Sequence, residues 1–237
     1  MVIRRKISHI ALFKFSFIFF LFFSQTTFSQ SPEKDHSESK KEEWRLRKNE
    51  NGIRIYSRRP AGSDVDEFRV ISVMHGSLSS IVAVIMDANH YPDWIYACVQ
   101  SKVLQQVNAT EQYQYQVIDV PTPFSDRDAV VHFTLWQDVK TKSVYTHSVA
   151  APNFIPAKNG LVRLPVFDAT YQLIPQSNGD VEVIYSLRTD PGGYLPDWLV
   201  NWTIVTGPYQ TTLKMQEQVK KPEYVNSKLS FIQEPAP

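Results

Sequence analysis

The stretch that most constrains this chain is Thr189 to Trp202, TDPGGYLPDWLVNW. Pro191-Gly192-Gly193 ends whatever strand precedes it, because proline cannot continue a sheet ladder and glycine readily turns the backbone into positive φ. Pro196 suits the first turn of a helix, and Asp197 adds negative charge near that helix's N-terminus. Trp198, Trp202, Val205, Tyr209 and Leu213 then recur at helical spacing and mark one apolar face. The helix is predicted from about Pro196 to Val219, with a kink at Gly207-Pro208. A long final helix laid across a curved antiparallel sheet encloses a cavity.

Most of what precedes this helix reads as strand. Asn51-Gly52 is a hairpin turn pair leading into an alternating segment, Gly52 to Arg58. A second alternating strand runs from Glu67 to Met74. Ser77 caps a short helix with apolar positions Leu78, Ile81, Val82 and Ile85, which stops before His90-Tyr91-Pro92-Asp93-Trp94. Strands are predicted over Val99–Val107, Glu111–Val120, Arg127–Gln137, Ser143–Ala150, Gly160–Ile174 and Val181–Thr189, with turn residues between most of them. Ala151 to Asn159, with two prolines, is a surface loop. This order predicts an α+β fold with an antiparallel sheet, not a parallel βαβ array.

The first 30 residues stand apart. Arg4, Arg5, Lys6 and Lys14 precede an apolar run of nine residues, Phe15 to Phe23, followed by small and polar residues up to Ser29. That is the layout of a secretory signal peptide, and the run is too short to span a bilayer. Export to the periplasm or outside the cell is the expectation. Removing residues 1–30 takes away four basic residues and no acid, so the formal charge moves from +1 to −3. A weakly acidic chain without a basic stripe argues against nucleic acid as a partner. Residues 31–43 form a polar, disordered linker, and residues 223–237 read as a polar tail. Cys98, the single cysteine, excludes an internal disulfide and a cysteine-based zinc cluster.

Four segments in order and spacing resemble the START lipid-transfer domains, most of all their phosphatidylcholine-transfer branch. They are Gly52-Ile53-x-Ile55-Tyr56-Ser57-Arg58, Met86-Asp87 to Trp94, Pro121-Thr122-Pro123-Phe124-Ser125-Asp126-Arg127-Asp128, and Asp190-Pro191-Gly192-Gly193 to Trp202. The resemblance covers residues 44–222 of what looks like an exported bacterial member. It implies a helix-grip fold, in which a curved antiparallel sheet wraps the C-terminal helix around an internal hydrophobic tunnel for one lipid. The ligand groups of the branch do not carry over. Tyr91 stands where an arginine meets phosphate, and Gln116, Ala129 and Phe167 stand at the choline cage, so only one ring remains. Phe133 stands where the sterol branch often has an inward arginine.

The tunnel candidates are Tyr91, Trp94, Tyr113, Tyr115, Arg127, Asp128, His132, Phe133, Phe167, Arg188, Trp198, Trp202 and Val205. The gate candidates are Gly192, Gly193, Tyr194, Leu195 and Leu199. Arg127-Asp128 reads either as charge that orients a polar head or as part of a structural ion pair with Arg163, Arg188 or Asp126. His132 and Trp136 share one strand face and Val131, Phe133 and Leu135 the other, and alternation alone leaves open which looks inward. A monomer is expected that binds one lipid or other hydrophobic small molecule and transfers or senses it outside the inner membrane, with transient contact at a membrane surface. No cofactor, metal or catalytic group is assigned. The alternative is an enzyme of cyclase or hydrolase type acting on a bound hydrophobic molecule, with His132 and Asp128 as base and orienter. Four residues apart on one strand, these two are separated by roughly 13 Å, too far for direct contact. Nor does the chain contain a phosphate-binding glycine loop, a Gly-x-Ser-x-Gly elbow or a His-Glu-x-x-His helix.

Overall fold

Asn51 and Gly52 both take positive φ, 50° and 72°. This matches the twist of a tight hairpin and folds Ile53–Arg58 (β2) back on Arg45–Glu50 (β1). The first strand escapes prediction because its residues, Arg45-Leu46-Arg47-Lys48-Asn49-Glu50, are largely charged and exposed. The computed structural model describes residues 43–62, 66–193 and 195–235, and it describes residues 197, 198 and 200–202 without their side chains. The predicted signal peptide and residues 31–42 of the predicted linker lie outside the described residues.

Eight further strands follow: Glu67–His75 (β3), Cys98–Asn108 (β4), Glu111–Ile118 (β5), Arg127–Gln137 (β6), Val144–Ala150 (β7), Val162–Arg163 (β8), Val166–Pro175 (β9) and Asp180–Asp190 (β10). They build one sheet in the order β1-β2-β3-β10-β9-β7-β6-β5-β4, antiparallel along this path, with the short β8 parallel to β6. The sheet is open rather than closed into a barrel. The single strand expected over Gly160–Ile174 is split at Leu164-Pro165. Proline brings no N–H to a ladder, and here the chain leaves β6 to pair between β7 and β10.

The helices are Leu78–Met86 (α1), Tyr91–Trp94 (α2), Asp197–Gln218 (α3) and Pro222–Val225 (α4), with one turn of 3₁₀ helix at Ala88–His90. Ser77 caps α1 as its sequence predicts, its Oγ accepting from Ser80 N at 3.1 Å. The long helix runs through Pro208 and packs on β2, β3 and α2. Its buried positions Ile204, Pro208, Thr212, Met215 and Val219 lie one residue off the predicted stripe of Val205, Tyr209 and Leu213. The predicted stripe is a shoulder of the true face: Tyr209 is buried, and Val205 and Leu213 are half-buried.

The core lies between α1–α3 and one face of the sheet. On that inner face stand Ile53 and Ile55 of β2, Phe68, Val70 and Met74 of β3, Val181 and Val183 of β10, Leu173 of β9, and Phe133 and Leu135 of β6. The chain after Pro222 departs from the polar tail predicted over 223–237. Ile232 is buried in the core, with Leu229 and Phe231 beside it, and Tyr224 donates to Asp87 Oδ2 at 2.9 Å. The Glu234 carboxylate accepts from Leu78 N at 2.9 Å and Ser79 N at 2.8 Å, closing the N-terminus of α1 from 155 residues away in sequence. Three spaced apolar residues among polar ones gave no periodicity from which to read this docking.

Because an anionic cap holds two otherwise unpaired N–H groups, Glu234→Ala is expected to cost about 1 kcal/mol of stability. Glu234→Gln, which keeps an acceptor oxygen, should cost less. Urea unfolding checks both; an unchanged midpoint for Glu234→Ala would show that the tail does not support α1.

Candidate functional site

Alternation along paired strands sorts the sequence-predicted residues onto two faces. Phe133 pairs with Gln112, Val131 with Gln114 and Ala129 with Gln116, so these six share one face. Gln112 donates to Met86 O at 2.7 Å and Gln114 accepts from Tyr91 Oη at 3.0 Å, which identifies that face as the inner one. Tyr113, Tyr115, Asp128 and His132 therefore stand on the outer face, and Arg188, paired with Asp168 and Glu67, stands there too. These five tunnel candidates do not line the interior. Phe133, Phe167, Tyr91, Trp94 and Val205 do face it, Phe167 packing with Ala129, Val131 and Leu164. Tyr194 and the side chains of Trp198 and Trp202 lie outside the described residues.

The outer-face residues have structural partners. Asp128, fully buried, takes a two-pronged ion pair from Arg163 at 2.8 and 2.9 Å. Arg163 also donates to Pro152 O at 2.6 Å and Ile155 O at 3.2 Å, fastening the 151–164 loop over β5 and β6. Beneath that loop, Phe154 stacks on Tyr113 at 3.9 Å, and Lys158 lies 4.1 Å from the Tyr115 ring centre. His132 bonds Glu111 at 2.7 Å and His147 bonds Asp168 at 2.9 Å. Asp128 and His132 thus serve separate pairs and form no base–orienter dyad. Among the described residues no group of three or more His, Cys, Asp or Glu is placed to hold a metal ion. Cys98 is buried, and burial pushes its thiol up to about 11.

Arg127 points the other way. Its buried guanidinium donates to Ser125 O at 2.5 Å, Pro191 O at 3.1 Å and Gly192 O at 3.2 Å. Burial pulls its pKa below the ordinary arginine value, while three carbonyls satisfy the charge that desolvation leaves exposed. The turn it grips has Gly192 and Gly193 at φ of 64° and 63°, conformations favoured by glycine. Asp190 Oδ1 accepts from Gly192 N at 2.8 Å and completes the turn. Leu199, one turn into α3, is buried, and Leu195 is half-buried. The sequence located this hinge but gave no sign that Arg127 holds it, since the contact spans 64 residues and ends on main-chain carbonyls.

Beyond the hinge, α3 closes on the sheet. The expected tunnel is here a seam holding a cavity of about 10 Å³, lined by Val70, Ser72, Met74, Tyr171, Val183, Tyr185, Thr211, Thr212 and Met215. That is about room for one water, against the several hundred Å³ a lipid-sized ligand occupies. Tyr171 and Tyr185 stack at 4.4 Å, and burial raises the pKa of both hydroxyls, so they stay neutral donors. Tyr91 Oη donates to Ile85 O at 2.7 Å, sharing its one hydrogen with Gln114 Oε1 at 3.0 Å. Gln114 Nε2 and Trp94 Nε1 are buried without a partner among the described residues. Sequence reasoning missed Tyr171, Tyr185 and Gln114, and only a correct face assignment for β5, β9 and β10 could have found them.

Comparison with known proteins bears on this arrangement. A family model described as START domain matches residues 33–222. An uncharacterized protein of Pseudomonas aeruginosa is 32% identical over 180 residues, 76% of this chain and 88% of that one. The mouse phosphatidylcholine transfer protein is 28% identical over 173 residues, 70% of this chain and 78% of its own. The crystal structure of a STAR-related lipid transfer protein fragment from Xanthomonas axonopodis superposes with a TM-score of 0.69 at 32% identity, covering 75% of this chain and 99% of that one. These relatives span bacterial and mammalian proteins, so they establish a family and not its phosphatidylcholine branch.

Two substitutions separate the two faces of β6. Asp128→Asn leaves Arg163 buried without its counter-charge and is expected to cost about 3 kcal/mol in chemical denaturation. Arg127→Lys, which cannot fork to two carbonyls, should leave the melting temperature nearly unchanged while proteolytic cleavage within residues 190–196 speeds up several-fold. Equal cleavage rates would show that Arg127 does not hold the turn.

Proposed function

This chain belongs to the START domain family, and from that membership we propose that it encloses one lipid between the inner sheet face and α3 and carries it outside the inner membrane. Membership places the chain among lipid-binding domains rather than enzymes. The observation that carries the finer reading is the seam itself. The β2–β3 end of the apolar sheet face is covered by one long helix, and the turn that begins this helix is gripped by one side chain. Admission of a lipid then requires the first half of α3 to move away from β2 and β3.

The helix has a natural point for that movement. Pro208 removes one bond of the helical ladder, and Gly207 lies against Tyr96, 3.9 Å from where a Cβ would stand to the nearest ring atom. The half beyond it is held by Tyr96 N donating to Thr211 Oγ1 at 3.0 Å and by Gln216 Nε2 donating to Val73 O at 3.1 Å. The half before it depends on the clamped turn. Transient contact of that turn with a membrane surface, where the lipid enters and leaves, is part of this reading. Export rests on the basic and apolar layout of residues 1–30.

Two experiments test the proposal. Native mass spectrometry of the protein purified from its own host is expected to show one lipid per chain and an N-terminus near residue 30. A cytoplasmic, unprocessed and lipid-free chain would overturn the reading. For the gate, a Cβ built on Gly192 lies 3.0 Å from Val162 Cγ1, within reach of a disulfide. The oxidised Gly192→Cys, Val162→Cys variant should stop lipid exchange between labelled vesicles relative to its reduced form, which carries the same non-glycine residue at positive φ and is the baseline. Undiminished exchange in the oxidised form would sink the gating idea.

A further inference from the structure

Away from its β1 border, the described inner face carries almost no charge. At that border Arg45, Lys48 and Glu50 fall on the inward side by register, Lys48 and Glu50 pairing with each other and Lys48 lying 4.3 Å from the Tyr209 ring centre. Following the pairing registers, the inward side chains of β2 are Ile53, Ile55 and Ser57, and those of β3 are Phe68, Val70, Ser72 and Met74. The rule extends across β10, β9, β7, β6 and β5, and Arg127 is the one ionisable cation or acid on the inward side of these described strands. Its guanidinium is consumed by main-chain carbonyls at the hinge. The buried residues of α3 over the seam, from Ile204 to Val219, add no charge either.

What the interior does carry is neutral hydrogen-bonding groups. Ser72, Thr211, Tyr171 and Tyr185 bring hydroxyls to the wall of the cavity. Gln114, 3% exposed, holds an unpartnered amide Nε2 on the same inner face. Its amide lies beside the Tyr91 hydroxyl, away from the cavity wall. A phosphate or ammonium group drawn into this seam would lose its water and meet no counter-charge, a cost that buried ions escape only when paired. A hydroxyl, ester or ketone oxygen would instead meet donors already in place.

We propose that the ligand of this chain is a lipid whose polar end is uncharged, of the class of diacylglycerols and long-chain or polycyclic alcohols, recognised by the Tyr171, Tyr185 and Ser72 hydroxyls. This rests on the lipid-binding reading above and narrows it. Opening the seam moves the half of α3 before Pro208, while Thr211 beyond it stays held by Tyr96 N and the tyrosines and Ser72 stay on their strands. Recognition therefore sits on the rigid wall and not on the moving one.

The test presents the full, processed chain with vesicles holding equal amounts of diacylglycerol, phosphatidylcholine and phosphatidylglycerol. The protein is then re-isolated, and its lipid is counted by native mass spectrometry and identified after extraction. Diacylglycerol is expected at least tenfold enriched over either phospholipid. The Tyr171→Phe, Tyr185→Phe variant, which removes two hydroxyls and no ring, should lose at least threefold of that enrichment with an unchanged circular dichroism spectrum. Phospholipid retained at or above the diacylglycerol level would overturn the neutral-ligand assignment and leave lipid binding intact. Capture of no lipid at all would overturn the binding reading and the assignment with it.

Discussion

Two adjacent side chains at the start of β6 hold both sides of this protein together. Successive residues on a strand point to opposite faces, so Arg127 reaches inward and Asp128 outward from one dipeptide. Inward, a guanidinium spreads over three carbonyls and fixes where the last strand gives way to the long helix. Outward, a buried carboxylate draws in Arg163 and through it the loop that covers β5 and β6. The two contacts differ in kind. The outer one is charge against charge, so loss of either partner strands the other. The inner one is charge against dipoles, and it spreads one cation over the carbonyls of two separate segments.

The sheet divides its chemistry between its faces in the same way. Its ion pairs, such as Arg58 with Glu67 and Arg188 with Asp168, and its histidine–carboxylate bonds stand on the outer face. Inside its borders the inner face keeps apolar side chains, hydroxyls and amides, and the Lys48–Glu50 pair stands only at its β1 edge. Electrostatic pairing thus stiffens the wall from behind without placing ions where a hydrophobic guest would lie. Arg58 and Arg69 also sandwich the Trp44 ring at 4.4 and 4.2 Å, so the chain enters the fold on this charged side.

Much of the architecture was legible in the sequence because its signals are local. The Asn51-Gly52 turn, the Ser77 cap and the Pro191-Gly192-Gly193 break each act over a few residues, and each appears where expected. The candidate site was less legible. Assigning Tyr113, Tyr115, Asp128, His132 and Arg188 to the interior required knowing which way each strand faced, and alternation fixes only relative sides. The sequence allows Asp128 two roles, and the structural ion pair with Arg163 is the one found. Tyr171 and Tyr185 went unnoticed because they become neighbours only once β9 and β10 pair. The docked C-terminus was hidden for a related reason: Ile232 and Glu234 act on α1, far back along the chain.

An open sheet of ten strands leaves two borders where another chain could add itself. At one border β1 carries Arg45, Arg47 and Lys48 and slips register between Leu46 and Lys48. At the other, β4 slips register three times against β5, and Val103 N is already taken by the Asn89 side chain at 3.2 Å. Neither border offers a long, straight row of free backbone groups. The irregular margins thereby deny an added strand a continuous template, which guards the sheet against edge-to-edge pairing with copies of itself.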